Sequence, residues 1–169
     1  EQEFVWGLYV SKNGTQWVGQ PFDPRNRGGP AFVNSYHLNM IRVDQDGICF
    51  SGLNTQALLA VSSDMAISEV CNLPKGCHNA TPHQGGVLLN DTAADAVRYA
   101  SRDGKAVAVP VPKFPTSELE FQGIDDSRVA RQGFGRGLCV LNERLIAAGS
   151  SPSTVSIIDI VEGRSVTAV

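Results

Sequence analysis

Along this chain short apolar runs alternate with turns of small and polar residues, and the alternation itself repeats. The run from His37 to Val43 leads into Gly47-Ile48-Cys49-Phe50-Ser51-Gly52, and His78 to Pro82 leads into Gly86-Val87-Leu88-Leu89-Asn90-Asp91. Arg136 to Val140 leads into Arg144-Leu145-Ile146-Ala147-Ala148-Gly149. Each segment opens on a basic side chain, crosses a polar turn, continues in an apolar run and then reaches a small-residue turn. Two more strand-like runs follow, as in Val155 to Ile160 and Ser165 to Val169. His37 and His78 lie about 41 residues apart, and a period near forty with four short strands per unit is the pattern of propeller blades. The expectation is an all-β, propeller-like fold. One domain, residues 1–169, holds about three four-stranded blades near residues 31–73, 76–112 and 135–169, in an incomplete ring.

The remaining segments fit around those units. Phe4 to Val10 and Gln16 to Gly19, joined through Asn13-Gly14, predict an N-terminal hairpin belonging to an earlier blade. Pro21 to Pro30 carries three prolines and two adjacent glycines and reads as an irregular loop. Within the second unit, Arg102-Asp103-Gly104-Lys105 between apolar runs predicts another hairpin. The interval from His78 to Arg136 is about 58 residues, so a long connection, residues 110–135, separates the second unit from the third. It carries Phe114, Phe121, Arg128 and Arg131, suited to covering a polar ligand, although Asp125 to Gln132 also fits a short solvated helix.

Composition narrows the function classes. With 42% hydrophobic and 18% charged residues the chain can build a substantial core. A net charge of -3 with scattered Lys and Arg gives no footprint for nucleic acid, and no apolar run approaches a membrane span. Neither partner is expected, and an incomplete ring leaves room for a homo-oligomer. The absence of an initiator Met points to a processed or excised piece, so the compartment stays open. Cys49 and Cys139 sit in apolar runs as core residues, while Cys71 and Cys77 flank a turn and are expected to be reduced. Three Asn-x-Thr sequons, at Asn13, Asn79 and Asn90, are read as coincidental.

Familiar catalytic signatures are missing: there is no G-x-S-x-G elbow, no H-E-x-x-H and no paired Cys-x-x-Cys. Gly133-Phe134-Gly135-Arg136-Gly137 lacks the strand and helix context of a phosphate loop and reads as a bend into an inner strand. A metal held by Cys77, His78 and His83, or calcium held by Asn39, Asn90 and Asp91, is the weaker reading beside ordinary turn roles, and no cofactor is expected. What remains is positional. If the repeats superpose, His37, His78 and Arg136 occupy one position at the start of each innermost strand, and innermost strands converge on the propeller axis. These three are the candidate catalytic residues. Asn39, Asn79, His83, Arg128 and Arg131 are the candidate ligand-binding residues, and clustered cations favour an anionic ligand and depress the histidine pKa values.

Tyr36-His37-Leu38-Asn39, Cys77-His78-Asn79, Gly133-Phe134-Gly135-Arg136-Gly137-Leu138 and Ala148-Gly149-Ser150-Ser151, in that order, resemble a bacterial family of propeller-like proteins of undetermined function, the DUF4915 or TIGR03032 family. The resemblance covers roughly residues 5–169. It departs at the second histidine, which is followed by Asn79-Ala80-Thr81-Pro82 and a further His83. It implies a propeller-like fold, no particular chemistry, and family members that continue beyond Val169. The leading functional expectation is a binding module that recognises a small polar or anionic ligand, such as a sugar, peptide or anion, at the axial mouth. The alternatives are a transferase or hydrolase using the axial histidines as acid, base or nucleophile, and a structural or assembly protein.

Overall fold

The computed structural model describes residues 7–22, 35–119 and 130–169. Turn chemistry and apolar runs cooperate from the first element. The hairpin of β1 (Gly7–Asn13) and β2 (Gln16–Phe22) turns at Gly14 and Thr15. A first four-stranded antiparallel meander follows, made of β3 (Leu38–Asp44), β4 (Gly47–Gly52), β5 (Ala57–Val61) and β6 (Ile67–Asn72). The second contains β7 (Cys77–His83), β8 (Gly86–Asp91), β9 (Ala96–Ser101) and β10 (Ala106–Pro110), and the third β11 (Gly135–Val140), β12 (Leu145–Ser150), β13 (Thr154–Asp159) and β14 (Arg164–Ala168). The fold is all-β and propeller-like, with three four-stranded sheets and a hairpin that do not close into a ring. No helix among the described residues is long and apolar enough to cross a membrane.

The long connection before β11 is described only in part. It contains a short 3-10 turn at Thr116–Glu118. Phe121 and Arg128 lie outside the described residues, as does most of the stretch read as a possible helix.

Each sheet-to-sheet interface holds its own core. Trp17 of the hairpin packs with Phe50, Ala57 and Leu59 of the first sheet. Leu58 and Leu73 meet Cys77, Ala80, Val87 and Leu89 between the first and second sheets. Leu88, Val97, Val109 and Val111 meet Ile146, Ala148, Ile158 and Ile160 between the second and third. Successive residues of β4 and β5 serve opposite interfaces, Leu58 one and Leu59 the other, as the two-residue side-chain period requires. Each fully buried Leu or Ile contributes about 1.5–3 kcal/mol. Cys77 belongs to this core, and burial pushes its thiol up to about 11. The outward face of the third sheet is different: Val155 and Val166 are half exposed. Cys139, expected in a core, is exposed there, and among the described residues no further sheet packs against that face. All four cysteines are free.

Adjacent innermost strands do not share a backbone ladder, so side chains join them. At one end of β3, Asn39 Nδ2 donates to the Cys77 carbonyl at 3.2 Å and Oδ1 accepts the Asn79 N–H at 3.3 Å. Further along, Arg42 Nη1 donates to Thr81 Oγ1 and to the Pro82 carbonyl, at 3.1 and 2.8 Å. One blade on, Asn79 Oδ1 accepts the Gly137 N–H at 3.0 Å and Asn90 Nδ2 at 3.2 Å, while Asn90 Nδ2 also donates to the Gly137 carbonyl at 3.1 Å. Of the recipients, Asn79 and Gly137 sit at bulges; β3, β7 and β11 each slip register against the next strand, near Asn39, Asn79 and Gly137. A bulge leaves backbone groups without ladder partners, and these amides supply them.

Asn79 tests this arrangement because it also has φ +56. Asn79→Ala should lower stability by about 2–4 kcal/mol, combining lost hydrogen bonds with the strain of a β-carbon in the left-handed region. Asn79→Gly should recover only the strain, leaving a loss of about 1–2 kcal/mol in urea unfolding. Two variants as stable as the parent would show that the amide does not join the blades.

Candidate functional site

The mouth end of the innermost strands gathers the basic residues. His78 is the second residue of β7 and Arg136 the second of β11, so these two are equivalent. His37 is not: it precedes β3, which begins at Leu38. The expected three-way equivalence is therefore corrected: the strand starts Leu38 and Cys77 lie 39 residues apart and the histidines 41, so the residue of β3 equivalent to His78 is Asn39. His37 reaches the same place by another route. Its φ of +46 curls the backbone over Gly52, where a β-carbon would lie 2.4 Å from the Tyr36 carbonyl oxygen and 2.8 Å from that of His37. Only glycine permits that approach.

As a result the His37 and His78 rings lie 6.4 Å apart, edge to face. His78 stands edge-on to Phe134 at 5.3 Å, and the Arg136 guanidinium covers the Phe134 ring at 4.8 Å. Phe134 is held by its backbone, donating to the Arg131 carbonyl and accepting from Ser151. His78 is buried, with 7% exposure, whereas His37 and Arg136 are exposed. The arrangement is a buried imidazole at the base, an exposed imidazole and an exposed guanidinium at the rim, and an aromatic strut between them. Among the described residues no carboxylate pairs with Arg136, although Arg42, Arg98, Arg131, Arg144 and Arg164 each have one.

Burial is the largest influence on His78 and lowers its pKa, and the charges of Arg136 and His37 lower it further; a bond to the Gly76 backbone opposes them. The ring is consequently neutral at pH 7. Its Nδ1 lies 3.4 Å from Thr92 Oγ1, whose own proton is donated to the Gly76 carbonyl.

The other expected residues fall elsewhere. Asn39 and Asn79 flank the mouth, but their amides are committed to joining strands. Arg131 is bound to Asp95 at 2.6 Å and to the Thr92 carbonyl at 2.5 Å, and Asp95 also holds Lys113. It fastens the approach to β11 onto the second blade. His83 ends β7 and packs on Tyr99 at 6.1 Å. Five strand residues separate it from His78, roughly 16 Å at the rise of a strand, so it is corrected out of the mouth. That separation also parts the Cys77, His78 and His83 set, and among the described residues no three such side chains group as a metal site. The Asn90 Nδ2 is taken up by inter-strand bonds, while its buried Oδ1 has no partner among the described residues, and Asp91 is paired with Arg98. Arg128 lies outside the described residues. Sequence reasoning overlooked Phe134 and Thr92. An aromatic residue two positions before Arg136 was the available signal for the first; nothing local marked the second.

No protein-family model and no curated protein sequence matches this chain. Solved structures do. A catalytically inactive histidine-to-alanine variant of virginiamycin B lyase from Staphylococcus aureus, with quinupristin, is 11% identical, with a TM-score of 0.53 over 96% of this chain and 55% of that one. Selenomethionine-substituted virginiamycin B lyase from the same organism is 10% identical, with a TM-score of 0.50 over 90% and 52%. Hydrazine synthase from Kuenenia stuttgartiensis is also 10% identical, with a TM-score of 0.50 over 85% and 38%. The chain thus spans about half of the lyase. At these identities the likeness shows the fold alone.

The depressed His78 pKa has a consequence for stability. Its unfolded value is about 6.5, so below that pH the unfolded chain binds the proton more readily. Stability should be fully retained above about pH 6.5 and fall as pH drops through the folded pKa. A ring-proton NMR titration should give a His78 midpoint below 6.5, and His78→Gln should remove this part of the pH dependence. A midpoint at or above 6.5 would contradict the burial and charge described here.

Proposed function

We propose that the mouth formed by His37, His78, Phe134 and Arg136 binds a small polar or anionic ligand, making the protein a propeller-type binding module. The observation that carries this reading is the guanidinium of Arg136, with no carboxylate partner among the described residues, beside a buried histidine, while the other mouth-side arginine, Arg131, is neutralised by Asp95. A cation held by packing on an aromatic ring, without a carboxylate, keeps its forked donors available for an oxyanion. Phe134 fixes its direction. His37 adds a polar ring at the rim, and the inter-strand amides hold all four residues in place before a ligand arrives, which lowers the ordering cost of binding. Sugars, peptides and simple anions share the oxygen-rich chemistry that such donors recognise.

A second reading is favoured by the state of His78. A neutral imidazole at the base of a cationic mouth is suited to act as a general base, so a transferase or hydrolase acting on an anionic substrate uses the same residues. Loss of turnover in His78→Gln with ligand affinity retained would identify it. A substrate screen with esters, sulfate esters and lactones is the way to find that turnover.

The binding reading is tested by calorimetric titration with small anions, beginning with inorganic phosphate, at low ionic strength. Arg136→Ala should weaken binding roughly tenfold or more, the usual effect of losing a charged hydrogen bond. Arg102→Ala, an exposed arginine in the β9–β10 turn, should leave it unchanged. Equal loss in both variants, or none in Arg136→Ala, would remove the mouth as the site.

A further inference from the structure

The two nitrogens of His78 are in different circumstances. Nδ1 faces Thr92 Oγ1, and the single hydroxyl proton of Thr92 is directed at the Gly76 carbonyl. Towards His78 the hydroxyl therefore offers only a lone pair, so their contact requires a proton on Nδ1. In a neutral ring that leaves Nε2 as an acceptor. Nε2 has no hydrogen-bond partner among the described residues, and exposed His37 lies beside the ring. A side chain more than nine-tenths buried thus keeps one acceptor nitrogen open.

The groups facing this ring from the packed elements are His37 ahead of β3, Phe134 on the approach to β11, and Arg136 within β11. Arg131 lies beyond Phe134, already paired with Asp95, and Asp91 of β8 is paired with Arg98. An arriving anion meets positive charge at the rim and a lone pair at the base. An anion composed only of acceptors satisfies the first and is repelled by the second.

We propose that the mouth selects anions that bring their own hydrogen-bond donor, namely hydrogen phosphate or an organic anion with a hydroxyl beside its charged group, over fully ionised oxyanions such as sulfate. This rests on the anion-binding reading above and deepens it. The donor lies on His78 Nε2 and the charged oxygens lie towards Arg136 and His37. Near about pH 8 hydrogen phosphate and sulfate are both dianions of similar size and shape, and only the former retains a proton to donate. Sulfate must instead recruit a proton onto His78, which burial and the neighbouring cations oppose.

The test is calorimetric titration of the intact chain with inorganic phosphate and with sodium sulfate, at constant ionic strength, from about pH 5.5 to pH 8.5, together with ¹⁵N NMR of the His78 ring. At about pH 8 phosphate should bind roughly tenfold or more tightly than sulfate. Sulfate affinity should fall about tenfold per pH unit above the His78 pKa, the mark of one proton taken up on binding. His78→Gln, whose amide donates or accepts by rotating, should bring the two anions to equal affinity. The ¹⁵N shifts should place the proton of the free protein on Nδ1. Equal affinities with parallel pH dependence in the unmodified protein, or a proton on Nε2, would overturn the donor rule while leaving the anion site standing. Failure of both anions to bind at any pH would overturn the anion site and this inference with it.

Discussion

The site depends on how three innermost strands that share no backbone ladder are held side by side. Hydrophobic cores between the sheets draw the blades together, but apolar packing is non-directional and does not set the height of one strand against the next. Register comes from the polar links: Asn39 to the Cys77 and Asn79 backbone, Arg42 to Thr81 and Pro82, and Asn79 with Asn90 to Gly137. Because the links at Asn79 and Gly137 meet backbone groups at bulges, they are specific to one register. A one-residue slip of β11 would turn Arg136 to the other face of its sheet.

That rigidity allows like charges to be brought together. His37, His78 and Arg136 would repel one another if all were ionised, and the structure resolves the conflict through burial, which keeps His78 neutral. The second blade provides the support: Thr92 orients the imidazole, while the Thr92 carbonyl and Asp95 hold Arg131. Arg131 in turn leads into Phe134, on which Arg136 lies. One loop of the second blade therefore positions both the base and the rim of the mouth. This divides the two arginines of the region into a fastening one and an available one, a distinction that depends only on which has a carboxylate neighbour.

Much of the fold was legible in the sequence because it rests on local rules. A hairpin forms where Asn13-Gly14 announced one, although the turn residues are Gly14 and Thr15, Asp103-Gly104 lies in the turn expected of it, and the apolar runs of β4, β5, β8, β12 and β13 form the buried sheets. The equivalence of His78 and Arg136 was legible as well, since both are second residues of innermost strands, whereas His37 comes near His78 through its own backbone turn. The two-position displacement of His37 was not, because the strands repeat every 39 residues from Leu38 to Cys77 while the histidines lie 41 apart, and no composition signal marks where a strand begins. Asn39 and Asn79 were read as ligand contacts: an amide that joins strands and one that faces a ligand look alike until the neighbouring strand is in place. The same holds for Arg131, whose partner Asp95 is distant in sequence. Cys139 reads as a core residue from its apolar neighbours, but alternation along β11 turns it to the exposed face of the third sheet.

The central claim is that one mouth, built by β7, β11 and the turn before β3, is where this protein meets its ligand. Chemical-shift mapping of the isotopically labelled chain during a phosphate titration examines that claim residue by residue. The account predicts saturable shifts in the side chains of His37, His78, Phe134 and Arg136 and in the Gly137 amide, with His83, at the far end of β7, unmoved. Shifts centred on His83 or scattered over the surface, with the mouth residues unchanged, would contradict it.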